Sequence, residues 1–172
     1  MTRTKSSHLW KLVILSGALF LAGFAVGTRT SSAAVAAGIG STKLNHVGLS
    51  VTNLSAAVEF YTKTMGFREV FRLPEVDDRP LTVYLQISRE TFLELGQSTG
   101  SRPPGLSHIG LEVEGIDSEI ARLKQLNVNV GEPRVNRAKD RNTNVVAPEG
   151  VRLELLELVP ESLTRKAMES WR

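Results

Sequence analysis

Apolar residues recur along this chain at two periods, and the two alternate. In "LNHVGLSV" (Leu44–Val51), Val47, Leu49 and Val51 share one face while Leu44, His46, Gly48 and Ser50 share the other, the period of a strand. Leu54, Ala57, Val58, Tyr61 and Met65 then fall at helical spacing, with Thr52 or Asn53 as the cap and Gly66 as the stop. Three strand-like runs come next: Phe67–Leu73, Leu81–Ser88 after the turn "PEVDDRP", and Thr91–Gly96.

The succession then repeats. "LNHVGLSVTNLSAAVEFYTKTMGF" (Leu44–Phe67) aligns without gaps to "LSHIGLEVEGIDSEIARLKQLNVN" (Leu106–Asn129), an offset of 62 residues. The second helix carries Ile116, Ile120, Leu123 and Leu126 on one side, with Asp117 and Glu119 favourable in its first turn. Weaker strand signals lie around Asn136–Ala138, then at Asn142–Val146, and at Val151–Leu158 after "APEG". The chain therefore reads as α+β, with two tandem β-α-β-β-β modules at 43–97 and 106–159 joined by the linker "STGSRPPG" at 98–105. Residues 160–172 place Leu163, Ala167 and Trp171 at the spacing of a final amphipathic helix.

Charge bears on the ends more than on the modules. The formal net charge of the 172 residues is +3, but Arg3, Lys5, Lys11 and Arg29 lie in the first 36, which contain no acid. The remainder has 17 basic and 18 acidic residues, which argues against nucleic acid as a partner. The basic start and the apolar run "LVILSGALFLAGFAVG" (Leu12–Gly27), succeeded by Ala34-Val35-Ala36, predict a signal peptide or N-terminal membrane anchor over 1–36. As a helix the run spans about 24 Å, short of a hydrocarbon core of about 30 Å. Either reading exports the domain to a periplasmic or extracellular location, with 37–42 as a flexible lead-in, and any membrane contact runs through this segment alone. With no cysteine in the chain, disulfides and thiolate ligands are excluded.

Two of the three histidines, His46 and His108, occupy equivalent positions in the two copies, each with a glycine two residues on. The last strand of each module adds a carboxylate between leucines, Glu94 in "FLEL" and Glu154 in "RLEL". Flanking leucines turn each glutamate toward the histidine face, where a carboxylate is costly unless paired or liganded. One strand histidine alone is usually a satisfied structural residue, and one "LEL" glutamate usually faces solvent. All four at matched positions instead describe a site for one divalent ion, with Zn, Ni, Co, Mn and Fe(II) all suited to two imidazoles and two carboxylates. Glu157 lies on the leucine face and ranks below Glu154 as a ligand. Tyr84 and Gln86, on the polar face of "LTVYLQIS", are candidates to bind a small-molecule substrate.

At these residues, and at "APEGVRLELLEL", the sequence resembles the vicinal oxygen chelate superfamily, which includes glyoxalase I, methylmalonyl-CoA epimerase, extradiol dioxygenases and fosfomycin-resistance proteins. The resemblance covers Lys43 to about Val159. It implies a cupped, partly open mixed sheet around a metal, and the set His46, Glu94, His108 and Glu154 matches the pattern of glyoxalase I. The epimerase typically has Gln at the position of Glu94, and the oxygenases generally use two His and one Glu. Ser50 and Ser98 stand where glyoxalase I commonly has an arginine and an asparagine that hold glutathione.

The resemblance implies a lyase or isomerase that abstracts a proton next to a carbonyl through a metal-stabilised enediolate. Glu154 is the first choice as base and Glu94 the second. The alternatives are an epimerase, a ring-cleaving dioxygenase, or a non-catalytic protein that sequesters a small molecule. The sequence leaves open whether the modules close a site within one chain or across a homodimer.

Overall fold

The computed structural model describes residues 42–77 and 79–172. The expected targeting segment and all of the lead-in except Thr42 lie outside the described residues.

The first module runs β1 (Lys43–Val51), α1 (Leu54–Glu59), β2 (Arg68–Leu73), β3 (Thr82–Gln86) and β4 (Phe92–Gln97). The second runs β5 (Gly105–Glu112), α2 (Ile116–Gln125), β6 (Arg134–Val135), β7 (Arg141–Val146) and β8 (Arg152–Glu157), and α3 (Leu163–Glu169) closes the chain. These strands form an eight-stranded mixed sheet in the order β2-β3-β4-β1-β5-β8-β7-β6. Within each module the first and last strands are parallel neighbours, β1 with β4 and β5 with β8. The modules join where β1 and β5 pair antiparallel at the centre, so the sheet is continuous within one chain.

Asn53 caps α1 by accepting from the Ala56 N–H at 3.0 Å. The helix then widens into a π turn, Phe60–Thr64, where the Thr62 hydroxyl donates back to the Val58 carbonyl at 2.7 Å. Gly66, at φ +76°, ends it. Leu54, Ala57, Val58 and Tyr61 pack on Val83, Leu85, Leu93 and Leu95, and Ile116, Ile120 and Leu123 pack on Val113, Val130 and Leu155. The last member of each predicted stripe does not join its core. Met65 and Leu126 are exposed, because each lies just past the point where its helix unwinds.

The weak strand expected near Asn136–Ala138 is a turn, and the short strand lies just before it at Arg134–Val135. The Asn136 side chain accepts from the Asp140 N–H at 2.9 Å, and Lys139 takes a φ of +71°, which closes that turn. Beyond it, α3 lies on the opposite face of the first module from α1. Leu163, Ala167 and Met168 cover Leu73, Tyr84 and Phe92. Ser162 caps α3, accepting from the Arg165 N–H at 3.0 Å and donating to buried Asp140.

Candidate metal centre

The central strand pair explains both the histidines and the glycines two residues beyond them. Gly48 is the cross-strand partner of His108, and Gly110 is the partner of His46. A Cβ would fall under 3.0 Å from two ring atoms of the facing imidazole at Gly48 and from three at Gly110. Each histidine thus occupies the volume left by the glycine of the other module, and the rings meet edge to face with centroids 4.9 Å apart. A register shift between Leu44 and His46 departs from the strict alternation of the sequence pattern. It leaves Asn45 and His46 both buried, with the Asn45 Oδ1 3.0 Å from His46 Nδ1.

The four predicted ligands come together. The two Nε2 atoms are 2.8 Å apart. Glu154 Oε2 is 3.3 Å from His46 Nε2 and 3.2 Å from His108 Nε2. Glu94 Oε2 lies 3.6 and 3.5 Å from the same atoms. One donor atom from each residue lies within 4.8 Å of all the others. Atoms bound about 2.1 Å from one ion sit about 3.0–3.4 Å apart, depending on geometry, so these residues fit a divalent cation. His46, Glu94, His108 and Glu154 would hold it, all from one chain.

Neighbouring groups orient the four ligands, as outer-shell partners do at metal sites. Donation from His46 Nδ1 to Asn45 would leave the Nε2 lone pair facing the cluster. The Tyr84 hydroxyl donates to Glu94 Oε2 at 2.6 Å, and Asn142 Nδ2 donates to Glu154 Oε1. His108 Nδ1 faces Ser107 Oγ at 3.1 Å and Arg152 Nη2 at 2.9 Å. With a metal on Nε2 the Nδ1 carries the proton; Ser107 can accept it, whereas the guanidinium cannot.

Burial works to raise both carboxyls, but hydrogen bonding and charge from the histidines outweigh it and hold Glu154 and Glu94 below the ordinary carboxylate range. Burial also opposes the charge on His108, yet the two glutamates raise it to about 9. Burial and the charge of Glu94 keep the Tyr84 hydroxyl protonated, and therefore a donor. Asp140 lies further off, raised by burial to about 6.

Glu94, His108 and Glu154 line a cavity of about 710 Å³, together with Tyr84, Asn142 and Asn144. Gln86 does not line it. Its amide is buried under α3, donating to the Arg89 carbonyl at 2.9 Å and accepting from Arg68. Glu157 is bound to Arg141 at 2.6 Å and stays outside the cluster. Asn45, Asn142 and Asn144 were not predicted, although a signal for Asn144 exists in the repeat. It opposes Glu154 across β7 and β8 as Tyr84 opposes Glu94 across β3 and β4.

Paired β-α-β-β-β modules that share one sheet and converge a two-histidine, two-glutamate cluster at its centre define a class of cupped proteins able to hold a divalent ion. Residues 43–155 match the family model described as Glyoxalase/Bleomycin resistance protein/Dioxygenase superfamily, and the chain belongs to that superfamily. It is 33% identical over 107 residues to an ethylmalonyl-CoA/methylmalonyl-CoA epimerase of Cereibacter sphaeroides, covering 54% of this chain and 79% of the relative. Among solved structures it is similar to methylmalonyl-CoA epimerase from Mycobacterium tuberculosis, at a TM-score of 0.60 and 25% identity, covering 69% of this chain and 89% of that one. A single-site variant of the Streptomyces coelicolor epimerase, bound to 2-nitronate-propionyl-CoA, gives a TM-score of 0.61 at 25% identity, covering 72% and 99%.

Proposed function

We propose that the protein is a divalent-metal-dependent enzyme that removes and returns a proton at a carbon next to a carbonyl, in the manner of an epimerase. The observation that carries this reading is the cluster itself, two glutamates from opposite modules flanking two histidines on the wall of an open cavity. A divalent ion held by His46, Glu94, His108 and Glu154 would supply Lewis-acid polarisation of the substrate carbonyl. The chain supplies the proton acceptors. Glu154 has one oxygen on the histidines and the other held by Asn142. Glu94 uses Oε2 for both Tyr84 and the histidines, and its Oε1 takes no hydrogen bond from a described residue. Glu94 is therefore assigned as the first acceptor and Glu154 as its counterpart on the other module, reversing the order expected from the sequence. The epimerase relatives support the reaction class.

One observation favours a second reading, an isomerase of the glyoxalase I type: the fourth ligand position holds Glu94, completing a His-Glu-His-Glu set. Exchange of substrate hydrogen with deuterated solvent tests both. The substrates are one epimer of methylmalonyl-CoA, the glutathione–methylglyoxal hemithioacetal, and short 2-hydroxy and 2-oxo acids, each with Zn, Ni, Co, Mn or Fe(II). Exchange with inversion supports the epimerase, and transfer between adjacent carbons supports the isomerase. Wild-type rates in Glu94→Gln and Glu154→Gln would overturn both. The N-terminal pattern adds the proposal that the enzyme works outside the cytoplasm, which cell fractionation tests.

A further inference from the structure

The cavity has a second chemical character, carried by groups that proton transfer at the cluster does not use. Arg79, Arg102, Arg134, Arg137 and Arg152 all line it, whereas its acids, Glu94 and Glu154, belong to the cluster. Among the described residues, Arg102, Arg134 and Arg137 form no ion pair, and Arg79 has only a loose contact of 3.7 Å with exposed Asp77. Arg137 is held in place by neutral oxygens. It donates to the carbonyl of Pro74 at 2.7 Å and to that of Pro80 at 3.3 Å, and to Thr82 Oγ1 at 2.9 Å. After burial itself, the charge of Arg79 and, less strongly, of Arg102 lowers the Arg137 pKa, opposed in part by the charge of Glu94 in the cluster. Packing like charges together with no carboxylate in direct contact is unfavourable unless an anion completes the group, and Glu94 is already engaged by Tyr84 and the histidines.

The position of Arg137 sets how far that anion lies from the cluster. Thr82, which it touches, is two residues before Tyr84 on β3, and Tyr84 donates to Glu94. Residues two apart on a strand share a face and are separated by about 7 Å. A single carboxylate is satisfied by one arginine in the bidentate mode, whereas a phosphate monoester brings more than one charge and three acceptor oxygens for several guanidinium groups. We infer that the ligand of this cavity is a compact acid with an oxygen-chelating end at the His/Glu cluster and a phosphate, a few bonds away, at Arg79, Arg102 and Arg137. This deepens the proposed function by naming a substrate class. The arm of a CoA thioester carries its phosphates well beyond such a reach, so this anion is distinct from those of the relatives' ligands.

Calorimetric titration with glycerate, 3-phosphoglycerate and malate tests the inference, because the three share a 2-hydroxy acid end and differ in the group at the other end. The expected result is at least tenfold tighter binding of 3-phosphoglycerate than of glycerate to the Co(II)-loaded protein, with malate gaining less than threefold. Metal-free protein should still bind 3-phosphoglycerate more tightly than glycerate. Arg102→Gln, at an exposed position, should cut the advantage several-fold, and Arg102→Gln/Arg137→Gln should erase it. Equal affinity for glycerate and 3-phosphoglycerate overturns the inference, as does an advantage that is undiminished in Arg102→Gln or persists in Arg102→Gln/Arg137→Gln. Malate binding as tightly as 3-phosphoglycerate makes the second group a carboxylate and overturns the phosphate assignment. Co(II) binding, monitored by its visible absorption, reads the metal centre separately. A protein that takes no Co(II) but prefers 3-phosphoglycerate defeats the proposed function and the chelating end, and leaves the phosphate assignment standing.

Discussion

Replacing Gly110 with alanine adds one methyl group at the place where the histidines meet, and its consequences can be worked out in advance. The backbone there is not in the left-handed region, and alanine in a strand avoids some of the entropy glycine loses, a gain of about 0.5–1 kcal/mol. Against this, the new Cβ lies under 3.0 Å from the His46 ring, whereas ordinary contact begins near 3.4 Å. The ring must move by roughly 1 Å, and overpacking of this kind costs about 1–3 kcal/mol. The net expectation is a metal-free protein less stable by up to about 2.5 kcal/mol, with about 1 kcal/mol the central value. Metal–ligand distances tolerate only about 0.2 Å, so the displaced imidazole is lost as a ligand. The affinity should fall by more than the ~10–100-fold typical of outer-shell substitutions. Urea unfolding of metal-free protein and calorimetric titration with Ni(II) or Zn(II) measure the two effects. A double-mutant cycle with His46→Ala isolates the cause, because Gly110→Ala should then cost less than about 0.5 kcal/mol. An equal cost with and without the imidazole, or undiminished metal affinity in Gly110→Ala, would refute the interlocking of the two modules.

The same geometry sets three further outcomes. Because a metal must displace the His108 proton, whose pKa is about 9 in the metal-free site, apparent metal affinity should rise by about tenfold per pH unit from pH 6.5 toward 9. A flat profile in titrations over that range contradicts the proton competition. Tyr84→Phe removes the donor to ionised Glu94, so the acid limb of the pH–rate profile should move up by as much as about one unit; an unmoved limb would deny Tyr84 this part. Asp140, with its pKa raised to about 6 by burial, makes a contribution to stability that is fully present below its unfolded pKa of about 3.8 and is lost as pH rises through 6. Asp140→Asn should flatten that part of the stability–pH curve, and unfolding at pH 4.5 and 7 reads it.

The repeat made much of this architecture legible. His46 and His108 share one position in two copies of one strand, and Glu94 and Glu154 share another, so alternation alone was enough to assemble the cluster. What the histidine-face glycines are for was not legible, because Gly48 and Gly110 act across the central strand pair and the antiparallel β1–β5 register is a tertiary fact. The register shift at Asn45 broke the alternation on which side-chain directions were assigned. Gln86 was misplaced for a related reason. Alternation assigned its face correctly, but the C-terminal helix covers that part of the face and turns a polar pocket candidate into a buried support. The arginines were invisible as a group, since Arg79, Arg102 and Arg137 lie on three separate loops with no periodicity to link them.

The central pairing has a further consequence. His46 faces Gly110 and Gly48 faces His108, the reciprocal pattern of an isologous contact between two identical subunits. Each half of the chain brings one imidazole and one carboxylate, too few to retain an ion without the other half. Capture of a cation would therefore report whether the halves have met, and residues 98–104 are a tether that holds their local concentration high.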